Sequence, residues 1–584
     1  MCEYIYKNGE KCEEEPVEGS KYCILHCDFP FDIESDDYKK IQEGKEKRLK
    51  EKIEAEDFNF EGVKLIEISL FDLEVPTSII FSNSEISQEI VFSNVKINGV
   101  VDLSGSKIGG YVHLIKVKIE RDLYFGRYND VEEFFGRNSG GEEKNDVRRT
   151  KIKEHIRLDD VEIGGFASFK RLIIDDSAYF HQIKINGSCD FSKVEIGREA
   201  FFVNLSIQRG AEFREIKIND FVVFENIEIG DYFSLKGGEI GDYAEFITLK
   251  VKDRAIFIDT KVSNYALFSK IEIGENISFE YAEIGEYFCF RKSEIEGDIF
   301  FREAKIGGDI DFSGVKIGGD ADFKLASIGS KKEGGNVDFG NAIIEGTCDF
   351  SEAKVVGALR FEGATIGSDF LLNKLELHGD ILLNYTQIFG RFVIDEIDIK
   401  KLSAQEEIFR KARRLHEEIG DRSRADKYFV KEMQSRWEQK YEGAFLKQNY
   451  FQVILLFLEK IFGDHFLKYG TGWKRVLGVW FGVIFLSSFI FWIFGGVEYL
   501  IITNTTFFDS VTNSTVYIPI SGYETATSFW DNVYFSILTI TTLGYGDLHP
   551  KPEPLFQFLA GMVAIYGAFT WAAFIAIVVR IYMR

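Results

Sequence analysis

From Phe58 to Asp395 an apolar position recurs every eleven residues, running without a polar interruption from Ile163 through Ile174, Ile185 and Ile196 to Ile328. Six positions after each member a second series runs from Phe169 through Phe180 and Phe191 to Phe323, with Leu235 its only departure from phenylalanine. An earlier block repeats the pattern with Ile86, Ile97, Ile108 and Ile119 beside Phe81, Phe92, Leu103, Leu114 and Phe125. Within one unit the inward candidates are Ile306, Ile310, Phe312 and Val315, and the gap of two between Ile310 and Phe312 does not belong to a helix. Pairs two apart, separated by corners such as Gly307-Gly308, predict short strands wound into a β-solenoid whose equivalent side chains stack from coil to coil. Two units make a four-sided coil of about 22 residues, and roughly 14 coils at ~4.8 Å give a rod of order 70 Å; a three-sided coil is the alternative. The ladder vanishes at 126–156 and at 330–336, which are predicted to leave the rod as loops open to partners.

After Asp395 the spacing changes to that of helices. Ser403-x-x-Glu406 reads as a capping box opening a helix with Ile408, Ala412, Leu415 and Ile419 on one face. Gly420-Asp421 separates it from a second helix with Ala425, Phe429 and Met433, so 396–447 is a hairpin suited to cover the open end of the solenoid. Tyr450 to Phe462 is apolar but too short to span a bilayer, and 448–472 is predicted to lie in the membrane interface. Segments 476–497 and 555–579 carry no charge and are long enough to cross. Lys468, Lys474 and Arg475 precede the first span, and Arg580 and Arg584 follow the second, which puts both chain ends in the cytoplasm. Tyr499 to Thr527 is then an extracellular turret containing the sequons at Asn504 and Asn513.

With 584 residues the chain must fold as several units. A formal charge of -24 excludes nucleic acid as the main partner, because a phosphate binder presents a basic face. Phenylalanine is abundant (56) and proline scarce (7), which suits a regular repeat with one favoured core residue. Met1 to Ser20 has no apolar core of a signal peptide, so the N-terminus is expected to stay cytoplasmic. Cys2, Cys12, Cys23 and His26 have the spacing of a tetrahedral zinc site within residues 1–35, with Cys27 as an alternative fourth ligand. Four protein ligands leave no open position, so the zinc would be structural. The charged stretch 36–57 has helix-forming composition and reads as a solvated connector. His113, His155, His181 and His378 show no ligand spacing and read as surface or packing residues. No catalytic constellation is apparent, and the chain is not expected to be an enzyme.

The solenoid pattern resembles the pentapeptide-repeat proteins, whose faces carry an inward pair two apart; the likeness implies a right-handed β-solenoid. Ser528 to Pro550, "SFWDNVYFSILTITTLGYGDLHP", resembles the pore helix and filter of the two-span bacterial and archaeal potassium channels. That likeness implies an all-α pore domain over 473–584, with pore helix and filter at 528–547, in a homotetramer of the plasma membrane. Thr542 would offer its hydroxyl and carbonyl to dehydrated K+, and Leu543, Gly544, Tyr545 and Gly546 would complete the filter strand, with Asp547 shaping the outer mouth. Gly567 falls near the inner-helix gating hinge of such channels, and Gly561 is a weaker candidate. This sequence departs from the common motif at Leu538, where relatives carry a carboxylate, and at Phe535, where they carry an indole; Tyr534 and Trp530 remain as donors near Asp547. The order of repeats, helical hairpin and two-span pore resembles the pentapeptide-repeat ion-channel proteins of prokaryotes. It implies a potassium channel subunit whose solenoid receives an unidentified cytoplasmic ligand or protein partner. The rival reading is a membrane-tethered scaffold in which the pore is only an anchor.

Overall fold

The computed structural model describes residues 1–125, 149–330, 334–466, 468–509 and 514–582. Two compact units divide the chain, Met1–Ala404 and Gln405–Arg584.

The first unit is built on a parallel β-solenoid. Strands pair with partners 22 residues away, as Glu283–Ile284 does with Lys305–Ile306 and Ile277–Ser278 with Ile299–Phe300. One coil carries four short strands, Lys305–Ile306, Ile310–Asp311, Lys316–Ile317 and Ala321–Asp322, so the four-sided coil forms and the three-sided one does not. In the N-terminal coils two neighbouring sides join into eight-residue strands such as Ile156–Ile163. One sheet stacks 15 strands and another 14, which at ~4.8 Å per coil agrees with the expected rod.

Phenylalanine fills this rod as two interlocked columns. Within a column the rings lie parallel, Phe191 over Phe213 at 4.8 Å and Phe202 over Phe224 at 4.8 Å. Between columns they meet edge to face, with Phe202 and Phe213 at 5.2 Å and 88°. Both arrangements suit the ring quadrupole, which disfavours an eclipsed sandwich but accepts offset stacks and T-shapes. Where Leu235 breaks the series, the ring is supplied from two residues earlier: Phe233 is fully buried and lies 5.4 Å from Phe213 and 5.5 Å from Phe257.

The glycine-marked corners form, as at Gly307-Gly308 between Lys305–Ile306 and Ile310–Asp311, and a second kind of corner accompanies them. Every eleven residues a corner residue adopts the left-handed backbone, and most of these are not glycine: Gln182, Lys193, Asn204, Glu215 and Asn226 all have φ between 52° and 59°. The conformation is held by the stack, since the amide of Lys193 donates to the Arg214 carbonyl and that of Glu215 to the Lys236 carbonyl, each at 2.8 Å in the next coil. Opposite charges also alternate up the outside, as in Glu74–Lys96 at 2.7 Å, Glu162–Lys184 at 3.1 Å and Lys250–Glu272 at 3.1 Å.

Of the interruption 126–156, residues 126–148 lie outside the described residues, yet the ladder has already resumed at Lys151–Ile152, which pairs with Lys107–Ile108. Of 330–336, residues 331–333 lie outside, and Val337–Asp338 rejoins the stack against Ile310–Asp311. The last strand is Asp398–Ile399, just beyond the expected limit at 395.

The 36–57 stretch forms helix α1, Asp36–Glu54, with Ser35 accepting from the Tyr38 amide at its N-terminus. It is not simply solvated: Lys45 is buried, donates to the carbonyls of Leu25 and Cys27, and lies over the Phe29 ring. Burial lowers the Lys45 pKa to about 8. The residues before α1 join the first coil through the Lys64 amide, which donates to the Leu25 carbonyl at 2.8 Å.

The hairpin helices are α2 (Leu402–Glu418) and α3 (Arg422–Leu446). The expected capping box does not form: α2 begins before Ser403, whose hydroxyl instead donates to Asp380 at 3.2 Å. Asp421 caps α3 by accepting from the Arg424 amide. Between the two helices Glu432 is buried among Arg413 at 2.8 Å, Arg436 at 3.2 Å and Arg410 at 3.6 Å. Helix α4 (Tyr450–Glu459) continues into a π-helical turn at Lys460–Phe466 and is tied to α3, where the Trp437 indole donates to the Leu456 carbonyl at 2.7 Å. Then come α5 (Trp473–Phe494), an antiparallel hairpin of Val497–Asp509 and Ser514–Thr525, the short helix α6 (Phe529–Ile540) and the long helix α7 (Pro554–Tyr582). The turret is thus a β-hairpin. Asn513 and Arg584 lie outside the described residues.

Candidate functional site: the pore loop and two side-chain clusters

Helix α5 has 22 residues and the stretch Pro554–Val579 of α7 has 26, each long and apolar enough to cross a membrane. At 1.5 Å per residue each exceeds a ~30 Å hydrocarbon layer. The shorter α6 packs against both, and its start is fixed by a residue the sequence reading passed over. Asn532 is fully buried and donates to the carbonyls of Ala526 and Ser528 at 3.1 and 2.9 Å.

Helix α6 ends at Ile540, and after its cap at Thr541 the chain turns directly into Thr542–Asp547. The turn is pinned by the Thr542 amide on the Thr539 carbonyl at 3.1 Å and the Leu543 amide on the Leu538 carbonyl at 3.0 Å. Beyond this point the backbone alternates: Thr542, Gly544 and Gly546 have φ of 55°, 50° and 80°, while Leu543 and Tyr545 between them do not adopt positive φ. Glycine permits this left-handed backbone without steric cost at two of the three positions. The exit is anchored as well, because Leu548–Pro550 pairs with Val497–Tyr499 at the base of the hairpin. Leu543 and Tyr545 are exposed on the single chain. Tyr534 and Trp530 are both exposed on the single chain.

Behind the loop, Phe535 and Leu538 are buried, and the Phe491 ring meets Phe535 edge to face at 5.3 Å. The support at these positions is packing rather than hydrogen bonding. At Gly567 a Cβ would lie 1.9 Å from the Ile540 carbonyl oxygen, so α7 passes the end of α6 too closely for any side chain; Gly561 has open space around it. Close packing therefore explains Gly567 in this conformation.

At the other end of the chain, Cys2, Cys12, Cys23 and His26 bring one ligand atom each within 4.8 Å of the others, all buried. His26 Nδ1 lies 3.1 Å from Cys23 Sγ, and its Nε2 is 3.0 Å from the Glu61 carbonyl, which as acceptor fixes Nδ1 as the inward atom. The Cys23 amide donates to Cys2 Sγ at 3.1 Å. Burial pushes the Cys23 thiol up and the His26 imidazole down, so without a cation both side chains are held neutral. Cys27 turns away toward the Ile24 carbonyl and is not part of the cluster. The donor set, three sulfurs and one imidazole, fits tetrahedral zinc.

The scattered histidines are not all scattered in space. His113 and His155 bring their Nε2 atoms to 2.8 Å, while His181 pairs with Asp159 and His378 with Glu376.

Residues 479–584 match the family model described as ion channel. No curated protein and no solved structure matches the chain. The molecule thus joins an ion channel domain with two apolar helices to a large β-solenoid.

Proposed function

We propose that the ion channel domain is potassium-selective, and that four copies of the chain assemble around one axis, each lending its Thr542–Gly546 segment to a shared filter. The observation that carries this reading is the alternation of backbone hand at Thr542, Gly544 and Gly546 between a fixed entrance and a fixed exit. A ring of such segments replaces the hydration shell of a dehydrated cation with carbonyl oxygens. The C-terminus of α6 precedes the filter, so its dipole favours a cation in the cavity. Asp547 is assigned to the outer mouth of the filter. In this reading the chain ends lie in the cytoplasm of a cell whose plasma membrane holds the pore, zinc occupies the Cys2, Cys12, Cys23 and His26 cluster, and the solenoid receives a ligand or partner that biases the gate.

The test is flux from liposomes carrying the reconstituted protein under a K+ gradient. K+ should permeate far better than Na+, and Gly544→Asp should abolish the flux. Equal permeation of the two ions, or flux untouched by the substitution, overturns the reading, and complete absence of conductance would favour the tethered scaffold.

A further inference from the structure

His113 begins the second position of the strand Val112–Ile119, and His155 immediately precedes the strand Ile156–Ile163 in the next coil. The two backbones are neighbours, for the Val112 amide donates to the His155 carbonyl at 3.2 Å. Their imidazoles converge, Nε2 to Nε2 at 2.8 Å, and both side chains are half-buried. The ring of Tyr111 walls the pair, 4.2 Å from His113 and 5.4 Å from His155. Two imidazolium ions cannot occupy this space together, so at least one ring nitrogen presents a lone pair. Burial, His155 and Arg157 hold the His113 pKa below its ordinary value, and the Glu89 carboxylate opposes them.

We propose that His113 and His155 form a second metal site, for a divalent transition ion that accepts cis ligands at a right angle, copper(II) or nickel(II). With metal–nitrogen bonds of about 2.0–2.1 Å, tetrahedral ligands stand roughly 3.4 Å apart and cis ligands at about 90° roughly 2.9 Å apart. The observed 2.8 Å fits the second case. Square-planar and octahedral ions take such an edge, and imidazole suits copper and nickel. Water fills the remaining positions, and Glu89 supplies compensating negative charge. The site differs in kind from the cysteine cluster, whose sulfur-rich donor set fits a tetrahedral ion, and it stands independently of the potassium-channel reading.

The experiment uses untagged full-length protein, first saturated with zinc, titrated with copper(II) and read by electron paramagnetic resonance. The expected result is one bound copper per chain with hyperfine structure from two imidazole nitrogens. His113→Asn and His155→Asn should each weaken binding by about tenfold or more and remove the two-nitrogen pattern, while His181→Asn leaves it intact. Circular dichroism of each variant reports whether the solenoid is retained. Absence of the two-nitrogen signal from the folded wild-type protein, or its survival in both folded variants, overturns the proposal and leaves the 2.8 Å contact a plain N–H···N hydrogen bond.

Discussion

At the scale of single residues, the pore and the cysteine cluster depend on atoms that nothing else can replace. Gly567 faces the Ile540 carbonyl where a Cβ would sit at 1.9 Å. Gly567→Ala must push α7 away from the end of α6, and a packing clash of this size costs about 1–3 kcal/mol. The expected outcome is a lower thermal midpoint in detergent for Gly567→Ala and none for Gly561→Ala, because Gly561 has room; equal effects would remove the packing role. For the cluster, elemental analysis should find about one zinc per full-length chain, lost in Cys12→Ser and kept in Cys27→Ser, since Cys27 points to the Ile24 carbonyl. The Cys2, Cys12, Cys23 and His26 cluster was legible in the sequence because its members sit within one short stretch of chain. The His113–His155 pair was not, because 42 residues separate its members and only the stacking of coils brings them together.

Elements carry a different lesson. The eleven-residue period exposed the solenoid because each coil must place the same side chain over its neighbour, and the phenylalanine columns are that requirement made visible. Phe213 touches Phe191 at 4.8 Å and both Phe202 and Phe224 at 5.2 Å. Phe213→Ala opens a cavity in two columns at once and should destabilise the solenoid by about 3–5 kcal/mol. Lys217→Ala removes only the exposed pair with Glu239 at 3.3 Å and should change stability by less than about 1 kcal/mol. Thermal unfolding followed by circular dichroism separates the two, and a Lys217 effect as large as that of Phe213 would shift the weight from core to surface. The left-handed corners were illegible for a physical reason. Glycine is the usual signal of positive φ, but here inter-coil hydrogen bonds impose it on Lys193 and Glu215, so residue type carries little of the information. Likewise Ser403 looked like a cap in sequence because local spacing cannot register a competing carboxylate at Asp380.

On the scale of the whole molecule, the Gln405–Arg584 unit joins its helical hairpin to the ion channel domain. A continuous set of contacts runs through it. Gln434 on α3 donates to the Asp464 carboxylate at 3.1 Å, and Arg475 at the start of α5 donates to the Asp464 carbonyl at 3.4 Å. Trp437 holds α4 through the Leu456 carbonyl, and the Lys460 ammonium lies 4.1 Å over its ring. Asp464 therefore stands between the helical hairpin and the first apolar helix, remote in sequence from Thr542–Asp547. A contact of this kind can change the balance of two pore states only if it is made differently in each. Gln434→Ala removes one hydrogen bond to a charged group, worth about 1.5–3 kcal/mol, and a difference of 1.4 kcal/mol is about tenfold in an equilibrium. Single-channel recording in planar bilayers should then show the open-to-closed ratio of Gln434→Ala displaced by about tenfold, with the K+ to Na+ permeability ratio unchanged. Changed selectivity would mean that the hairpin shapes the filter itself; an unchanged open-to-closed ratio would mean that the Asp464 junction holds the helices together without taking part in gating.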